Sequence, residues 1–347
     1  MTHAWPRESL DIWMHNASAD LCWHEATHVP MTCAHARRSP NTSYITSLRS
    51  GWFDYAAHEL HERWWAACGL RTAGRLAQWM GLDDVVLVGN LPISTNVWTD
   101  AQLEKFNQTC EEVVATHPHS FVGVRNLQHQ HHQALMTQLR RQGFRAIPAR
   151  VVYEFDLRNG LKTKPSHVMR DRTALKRSGL QTHVASHVSN TEATRLHDLY
   201  LSIYIDKHSP LNAQYTTQFF ADTLGAQVMQ ALLLKNDAGQ ILAFAMLYQV
   251  GRTLTVPALG YDMTSEVKGL YRLLFAAILQ HTQDHQLVLN YSSGAGDFKR
   301  KRGGIAHLEY TLLCAPSARG RWQANILTWL EARASSLHAQ DLITLGA

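Results

Sequence analysis

The sequence predicts an α/β protein of two domains, each a mixed, mostly antiparallel sheet flanked by helices. Three observations carry this reading. The chain has 347 residues, about twice the length of an average single domain. Short runs rich in apolar, β-branched and aromatic residues alternate with segments of helical periodicity. The connections between those runs carry turn chemistry, most plainly Asn236-Asp237-Ala238-Gly239 between two apolar runs, which joins them as an antiparallel hairpin.

From residue 181 the elements can be justified one by one. "QTHVASHV" (181–188) alternates as a strand, and helical patterns follow over 191–204 and 213–225, the second stopping at Gly225. Strands are expected over 227–235 and 240–250 around the hairpin turn, and a third over 252–262, where Pro257 demands an edge or a bulge. A helix over 265–283 has Ser265 available as its N-cap. Strands at 287–292 and 307–313 and a helix near 321–334 complete the order.

The first half reads less regularly. Strands are expected at 83–90, 120–127 and 149–157, with helices over 51–69, 100–117 and 129–143. Trp52, Trp64, Trp65 and Trp79 are read as core of this half. The expected organisation is a first domain over 1–157, a basic connecting helix over 158–180 and a second domain over 181–347. That connecting segment carries Arg158, Lys162, Lys164, Arg170, Arg172, Lys176 and Arg177 against one acid, Asp171.

Composition narrows the classes. No run approaches the roughly 18 apolar residues of a membrane-spanning helix. The opening "MTHAWPRESLDIW" lacks a signal-peptide pattern. Five scattered cysteines, never spaced as CxxC, suit reduced thiols and a cytoplasmic location. A net charge of +5 permits a polyanionic partner. "HEATH" (24–28) matches the zinc-protease pattern, but Pro30 follows at once and no helical periodicity surrounds it, so no metal site is expected there. "HQHH" (129–132) opens a helix that points its side chains apart, and is read as facing solvent. The "VGN" of Val88 to Asn90 is read as a turn.

The chemistry-bearing stretch is "YSSGAGDFKRKRGG" (291–304), with four consecutive basic residues between two strands. Together with the element order of 181–315 it resembles the GNAT acyltransferases, in the tandem-GNAT branch that contains the Fem-type (FemX-like) aminoacyltransferases. The resemblance spans roughly 80–315 and is most specific over 287–304. It implies a degenerate first domain and an active second one that moves an acyl or aminoacyl group onto an amine of a small-molecule or peptide acceptor, in a biosynthetic pathway. No metal and no resident cofactor are implied.

Such a transfer needs a neutral amine, donors for the oxyanion, and partners for the donor's phosphates. The resemblance gives Lys299 the developing negative charge, with a solvated basic loop as the plain alternative. Asp262 can accept the amine's proton and Tyr261 can donate to the leaving group, or "GYD" merely ends a strand. Ser292, Ser293, Gly294, Arg300, Arg302, Gly269 and Tyr271 fall where the donor binds; Tyr271 is equally read as core.

One departure bears on the donor. Where acyl-CoA users place a pyrophosphate cradle, this chain has "EVKGLY" (266–271), of which only Gly269 fits. Glu266 there would repel a pyrophosphate. Aminoacyl-tRNA is therefore the expected donor, lying on Lys162, Lys164, Arg170, Arg172, Lys176 and Arg177; acyl-CoA is the alternative. An inactive RNA- or protein-binding module is the alternative of another class.

Overall fold

Continuous apolar strands and the helices that cross between them organise the computed structural model of this chain. It describes Trp5 and residues 10–34, 41–160, 165–319 and 322–333. The chain forms two compact units. The first takes the described residues of Ser9–Val151, Ser209–Gln214 and His307–Ala347; the second those of Met1–Glu8, Val152–His208 and Tyr215–Ala306. The sequence reading instead placed its boundaries at 157 and 181.

In the first unit, α1 (Leu10–Trp13) precedes β1 (Ala19–Trp23) and β2 (Pro30–Ala34). A π-turn at Ser50–Asp54 leads into α2 (Tyr55–Glu59), then α3 (Trp64–Trp79) and β3 (Val85–Val88). Next come α4 (Asp100–Thr116), β4 (Phe121–Gln128) and α5 (His129–Arg141). The sheet runs β1-β2-β3-β4, antiparallel except for the β3–β4 pair, which is parallel and uses α4 as its crossover. Every residue of β3 and β4 is buried, as a strand covered on both faces requires. Val86, Val88, Val122 and Val124 meet Phe106, Cys110, Leu135 and Leu139 of α4 and α5 in one core.

The chain enters the second unit within β5 (Arg145–Asp156), followed by α6 (Ser166–Arg177), β6 (Gln181–Ala185), α7 (Asn190–Leu201) and α8 (Thr217–Gly225). Then come β7 (Gln230–Lys235), β8 (Ile241–Val250), β9 (Thr253–Thr255), β10 (Leu259–Tyr261), α9 (Leu270–Asp284) and β11 (Val288–Asn290). A short α10 (Gly296–Arg300) precedes β12 (Ile305–Cys314), which leads back into the first unit beside β4. The second sheet is ordered β5-β11-β9-β8-β7-β6, with β10 beside β8. It is antiparallel except for the β9–β11 pair, crossed by α9. A last helix covers 322–333. No helix among the described residues is long and apolar enough to cross a membrane.

Four expectations are corrected. The helix expected over 51–69 is broken after Glu59, because residues 59–63 are exposed and offer no apolar anchor to hold the turn. The helix expected from Ser265 starts at Leu270 behind Gly269, and the Ser265 hydroxyl only accepts from the Val267 amide in the preceding turn. Trp64, Trp65 and Trp79 are exposed rather than core, because α3 packs through Ala67, Gly74 and Ala77. Asn90 is a buried hub rather than a plain turn residue. Pro257 does split the third strand, into β9 and β10. "HEATH" lies on the β1–β2 turn, where the His24 Nδ1 meets the Thr27 hydroxyl at 3.0 Å.

Candidate active site

The parallel pair of the second unit opens at one end. Thr253 to Thr255 stand opposite Val288 to Asn290, and beyond Thr255 the chain turns away at Pro257, so that β10 pairs with β8 alone. The opening is lined by tyrosines: Tyr261 and Tyr271 lie 6.0 Å apart between ring centroids, and Tyr271 packs on Phe298 at 5.0 Å. Of two buried hydroxyls here, that of Thr255 has no hydrogen-bond partner among the described residues, and that of Tyr291 has the Tyr271 hydroxyl as its partner. Buried polar groups are nearly always satisfied, so the orphaned Thr255 hydroxyl at the strand end marks a candidate place for a ligand. Burial first, and then the neighbouring Tyr271 and Tyr204, push the Tyr291 hydroxyl well above the ordinary tyrosine range. Burial likewise pushes Tyr271 up to about 12. Both phenols therefore keep their protons at neutral pH, and they are hydrogen-bonded to each other.

The helix that crosses the pair begins without a cap. Gly269 sits at φ 74° as the N-cap of α9, with no side chain closing the first turn. Arg272 and Leu273 donate to the Gly269 carbonyl, so the amides before them look outward for acceptors. A left-handed N-cap of this kind is costly for any residue but glycine. The exposed Glu266 stands three residues ahead of it.

The four consecutive basic residues have four destinations. Lys299 is only 2% exposed. Its ammonium donates to the Tyr291, Ser292 and Ser293 carbonyls at 2.6, 3.1 and 2.8 Å, and lies 4.8 Å from the Tyr291 ring centroid. Arg300 donates to the Tyr153 hydroxyl at 2.8 Å and pairs with Asp297. Lys301 is exposed. Arg302 is buried, paired with buried Asp171 of α6 at 2.6 Å and stacked 3.5 Å from the Phe298 ring centroid. Asp171, the one acid of the basic segment, also meets Arg272 at 3.3 Å.

Lys299 thus braces a strained loop rather than facing open space. Ser292 and Ala295 hold φ of 54° and 47°, uncommon for residues with a Cβ, and Gly294 between them has φ 78°. Strain of this kind persists only where the surroundings fix it, and the ammonium gripping three successive carbonyls does so. Ser293 and Gly294 are exposed at the loop tip, and Ser292 is half-buried.

Asp262, at the end of β10, is also occupied. It accepts from the Thr264 amide and hydroxyl at 2.8 and 2.6 Å and from Arg195 at 2.7 Å. The Thr264 hydroxyl above all, with Arg195, holds its pKa below the usual carboxylate range. A carboxylate so stabilised is a weak proton acceptor. On α6, Arg170, Lys176 and Arg177 are exposed, whereas Arg172 is turned toward Gln283 of α9 at 2.6 Å. Lys162 and Lys164 lie outside the described residues.

The structure therefore brings Gly269, Tyr261 and Tyr271 together and sets Arg302 and Arg172 into packing roles. The sequence reading missed Thr255 and Tyr291. Thr255 had a signal, since it is the last strand residue before the Pro257 break; Tyr291 had none beyond its place in the quoted stretch.

In the first unit the corresponding end of the parallel pair is filled by its own side chains. Beyond Leu87 and Gly123, buried Asn96 donates to Asn90 and Asn126 at 3.0 and 3.1 Å, and Arg125 donates to Asn90 at 3.0 Å. Helix α4 is closed by a capping box between Thr99 and Gln102. At Gly89, φ 71°, any Cβ would collide with the Phe106 ring.

No protein-family model matches the sequence, and no curated protein matches it. Solved structures do match. One is the C-terminal domain of a chain named as a lysylphosphatidylglycerol synthetase, from Agrobacterium fabrum, at 13% identity and TM-score 0.53, covering 94% of this chain and 89% of that one. A second, named L-PGS, from Bacillus licheniformis, matches at 13% identity and TM-score 0.50, covering 90% and 88%. FemX matches at 8% identity and TM-score 0.45, covering 60% and 76%. The chain has a GNAT-like fold. Both units of that fold carry the parallel strand pair with its crossover helix, and in the second the buried Thr255 hydroxyl at that pair has no partner among the described residues.

Proposed function

We propose that the second unit transfers an aminoacyl group from aminoacyl-tRNA to the amine of a small-molecule or peptide acceptor. The observation that carries this reading is the end of the β9–β11 pair, which combines the unpartnered Thr255 hydroxyl, the Tyr261 and Tyr271 rings and the uncapped start of the crossover helix α9. A donor carbonyl placed there meets amide N–H groups and the protonated Tyr271, with Tyr291 bonded to Tyr271 behind it, which is what a developing oxyanion needs. The amine nitrogen attacks that carbonyl carbon, and the bond to the donor's ribose oxygen breaks. The proton lost by the amine ends on the departing oxygen, with Tyr261 at the strand end as its relay. Lys299 and Asp262 act as positioning residues, the first holding Tyr291 and its loop, the second fixing the end of β10.

Two features favour tRNA as the donor. Arg170, Lys176 and Arg177 form an exposed basic face on α6, suited to a phosphate backbone. The exposed Glu266 ahead of α9 disfavours a pyrophosphate at that terminus. The uncapped Gly269 start supports acyl-CoA as the second reading, since a helix N-terminus can seat an anion. The name lysylphosphatidylglycerol synthetase itself joins an amino acid to a head group, so aminoacyl chemistry belongs to that neighbour's name.

Binding to charged tRNA, uncharged tRNA and coenzyme A, compared at low and moderate salt, tests the donor. Any basic protein holds RNA loosely at low salt, so preference for the charged form at moderate salt is the expected result. Tight coenzyme A binding with indifference to charging would replace the tRNA reading by the acyl-CoA one. Binding of RNA regardless of charging, with no transfer, would make the unit an inactive binding module.

A further inference from the structure

Helix α3 of the first unit is built the wrong way round for a core helix. Its buried stripe is Ala67, Gly74 and Ala77, all small. A Cβ at Gly74 would already lie 3.1 Å from the Phe53 Cβ, so the helix is drawn in tightly by its small side. Its large apolar residues stand outward instead: Trp64 is 73% exposed, Trp65 67% and Trp79 82%, with Leu76 exposed as well. At ~1.5 Å per residue the tryptophans span about 22 Å of helix. Trp329, on the helix at 322–333, is 63% exposed and lines with Leu76 an apolar groove of about 170 Å³. Contiguous exposed apolar surface of this kind marks an interaction site.

The charge on the helix itself has one sign, although the exposed Glu59 and Glu62 precede it. Helix α3 contains Arg71 and Arg75 and no acid. Neither guanidinium makes an ion pair or a hydrogen bond among the described residues. They line a polar cavity of about 570 Å³ together with Arg49, His58, Asp54 and Gln78. The one carboxylate there, Asp54, lies 3.3 Å from Arg49, which leaves Arg71 and Arg75 uncompensated. Tryptophan on the outer face of a short helix, with arginine on the flank, is the composition of a helix that lies in a bilayer's head-group zone. With 16 residues, α3 fits lying on a membrane rather than spanning it.

We propose that this face of the first unit docks on an anionic lipid bilayer, with Trp64, Trp65, Trp79 and Trp329 in the interfacial layer and Arg71 and Arg75 at the lipid phosphates. Exposed tryptophans flanked by arginines that are unpaired among the described residues match a bilayer's interfacial layer and its phosphates in both chemistry and charge. The inference is independent of the transfer reaction proposed for the second unit.

Flotation of the purified full chain with phosphatidylcholine vesicles, with and without phosphatidylserine, at low and high salt, tests it. The expected result is binding to the anionic vesicles, weakened about tenfold or more without phosphatidylserine or at high salt, with a blue shift of tryptophan emission. The combined Trp64→Ser, Trp65→Ser and Trp79→Ser variant should lose flotation while melting at the wild-type temperature, and Arg71→Gln with Arg75→Gln should lose the preference for anionic lipid. Absence of flotation by the wild type, or equal flotation by the tryptophan variant, would overturn the proposal. So would a wild-type dimer that the tryptophan variant turns into a monomer, because a second copy would then be what covers the face.

Discussion

The two units carry the same device, a parallel strand pair crossed by a helix, and finish it differently. In the first, Asn90, Asn96 and Asn126 bond to one another and fill the end of the pair, and Thr99 caps the helix. In the second, the buried Thr255 hydroxyl has no partner among the described residues and the helix starts behind a bare glycine. Satisfied polar groups make a structural end; unsatisfied ones, held in place at a cost in stability, make a candidate site. The second unit meets that cost from behind, with buried charges that grip the loop and never enter the opening.

Removing those braces should have the largest effects. Asp171→Ala leaves Arg302 buried without its carboxylate and should lower unfolding stability by about 4 kcal/mol, read from urea denaturation. Lys299→Met removes the donor for three loop carbonyls and should cost about 3 kcal/mol. If either variant unfolds like the wild type, the bracing account is wrong. On the closed side, Asn96→Ala leaves buried amide partners unpaired and should cost about 2 kcal/mol, with no change in donor binding. The helix starts sharpen the comparison further. Thr99→Ala should lose about 1 kcal/mol through its cap, again without touching donor binding. Gly269→Ala should lose a similar amount, about 1 kcal/mol, through its left-handed backbone, and should weaken donor binding as well.

The smallest expected effect is one of pH. Asp262 is held below the usual carboxylate range by Thr264 and Arg195, so its ionised form stabilises the fold. That contribution is complete above the unfolded value of about 3.9 and is lost as pH falls through the lower folded value. The stability gap between wild type and Asp262→Asn should therefore be constant near neutral pH and close in acid. A gap that persists unchanged in acid would contradict the ion-pair role.

Local signals made much of the fold legible. The Asn-Asp-Ala-Gly turn fixed the β7–β8 hairpin, and Pro257 marked where the third strand must break. Direction was not legible. The sequence shows that Trp64, Trp65 and Trp79 are large and apolar, but the neighbouring Ala67, Gly74 and Ala77 decide that the helix packs on its small side. Nor could the basic run be resolved locally, because Arg302 finds its partner in Asp171, 131 residues earlier. Four charges in a row look like a surface, and partners distant in sequence took three of the four, or loop backbone did, leaving Lys301 outside. The open end of the β9–β11 pair needed the register of two strands 35 residues apart, Thr255 opposite Asn290, which no local pattern contains.

The most direct measurement of the proposed reaction is loss of a labelled aminoacyl group from tRNA, with hydroxylamine as a simple amine acceptor, in the presence and absence of the purified protein. The account predicts that the protein speeds release of the label as the hydroxamate, and that Tyr271→Phe, folded like the wild type, slows it by about a hundredfold. Release no faster than in buffer, with acetyl transfer from acetyl-coenzyme A to the same acceptor instead, would contradict it.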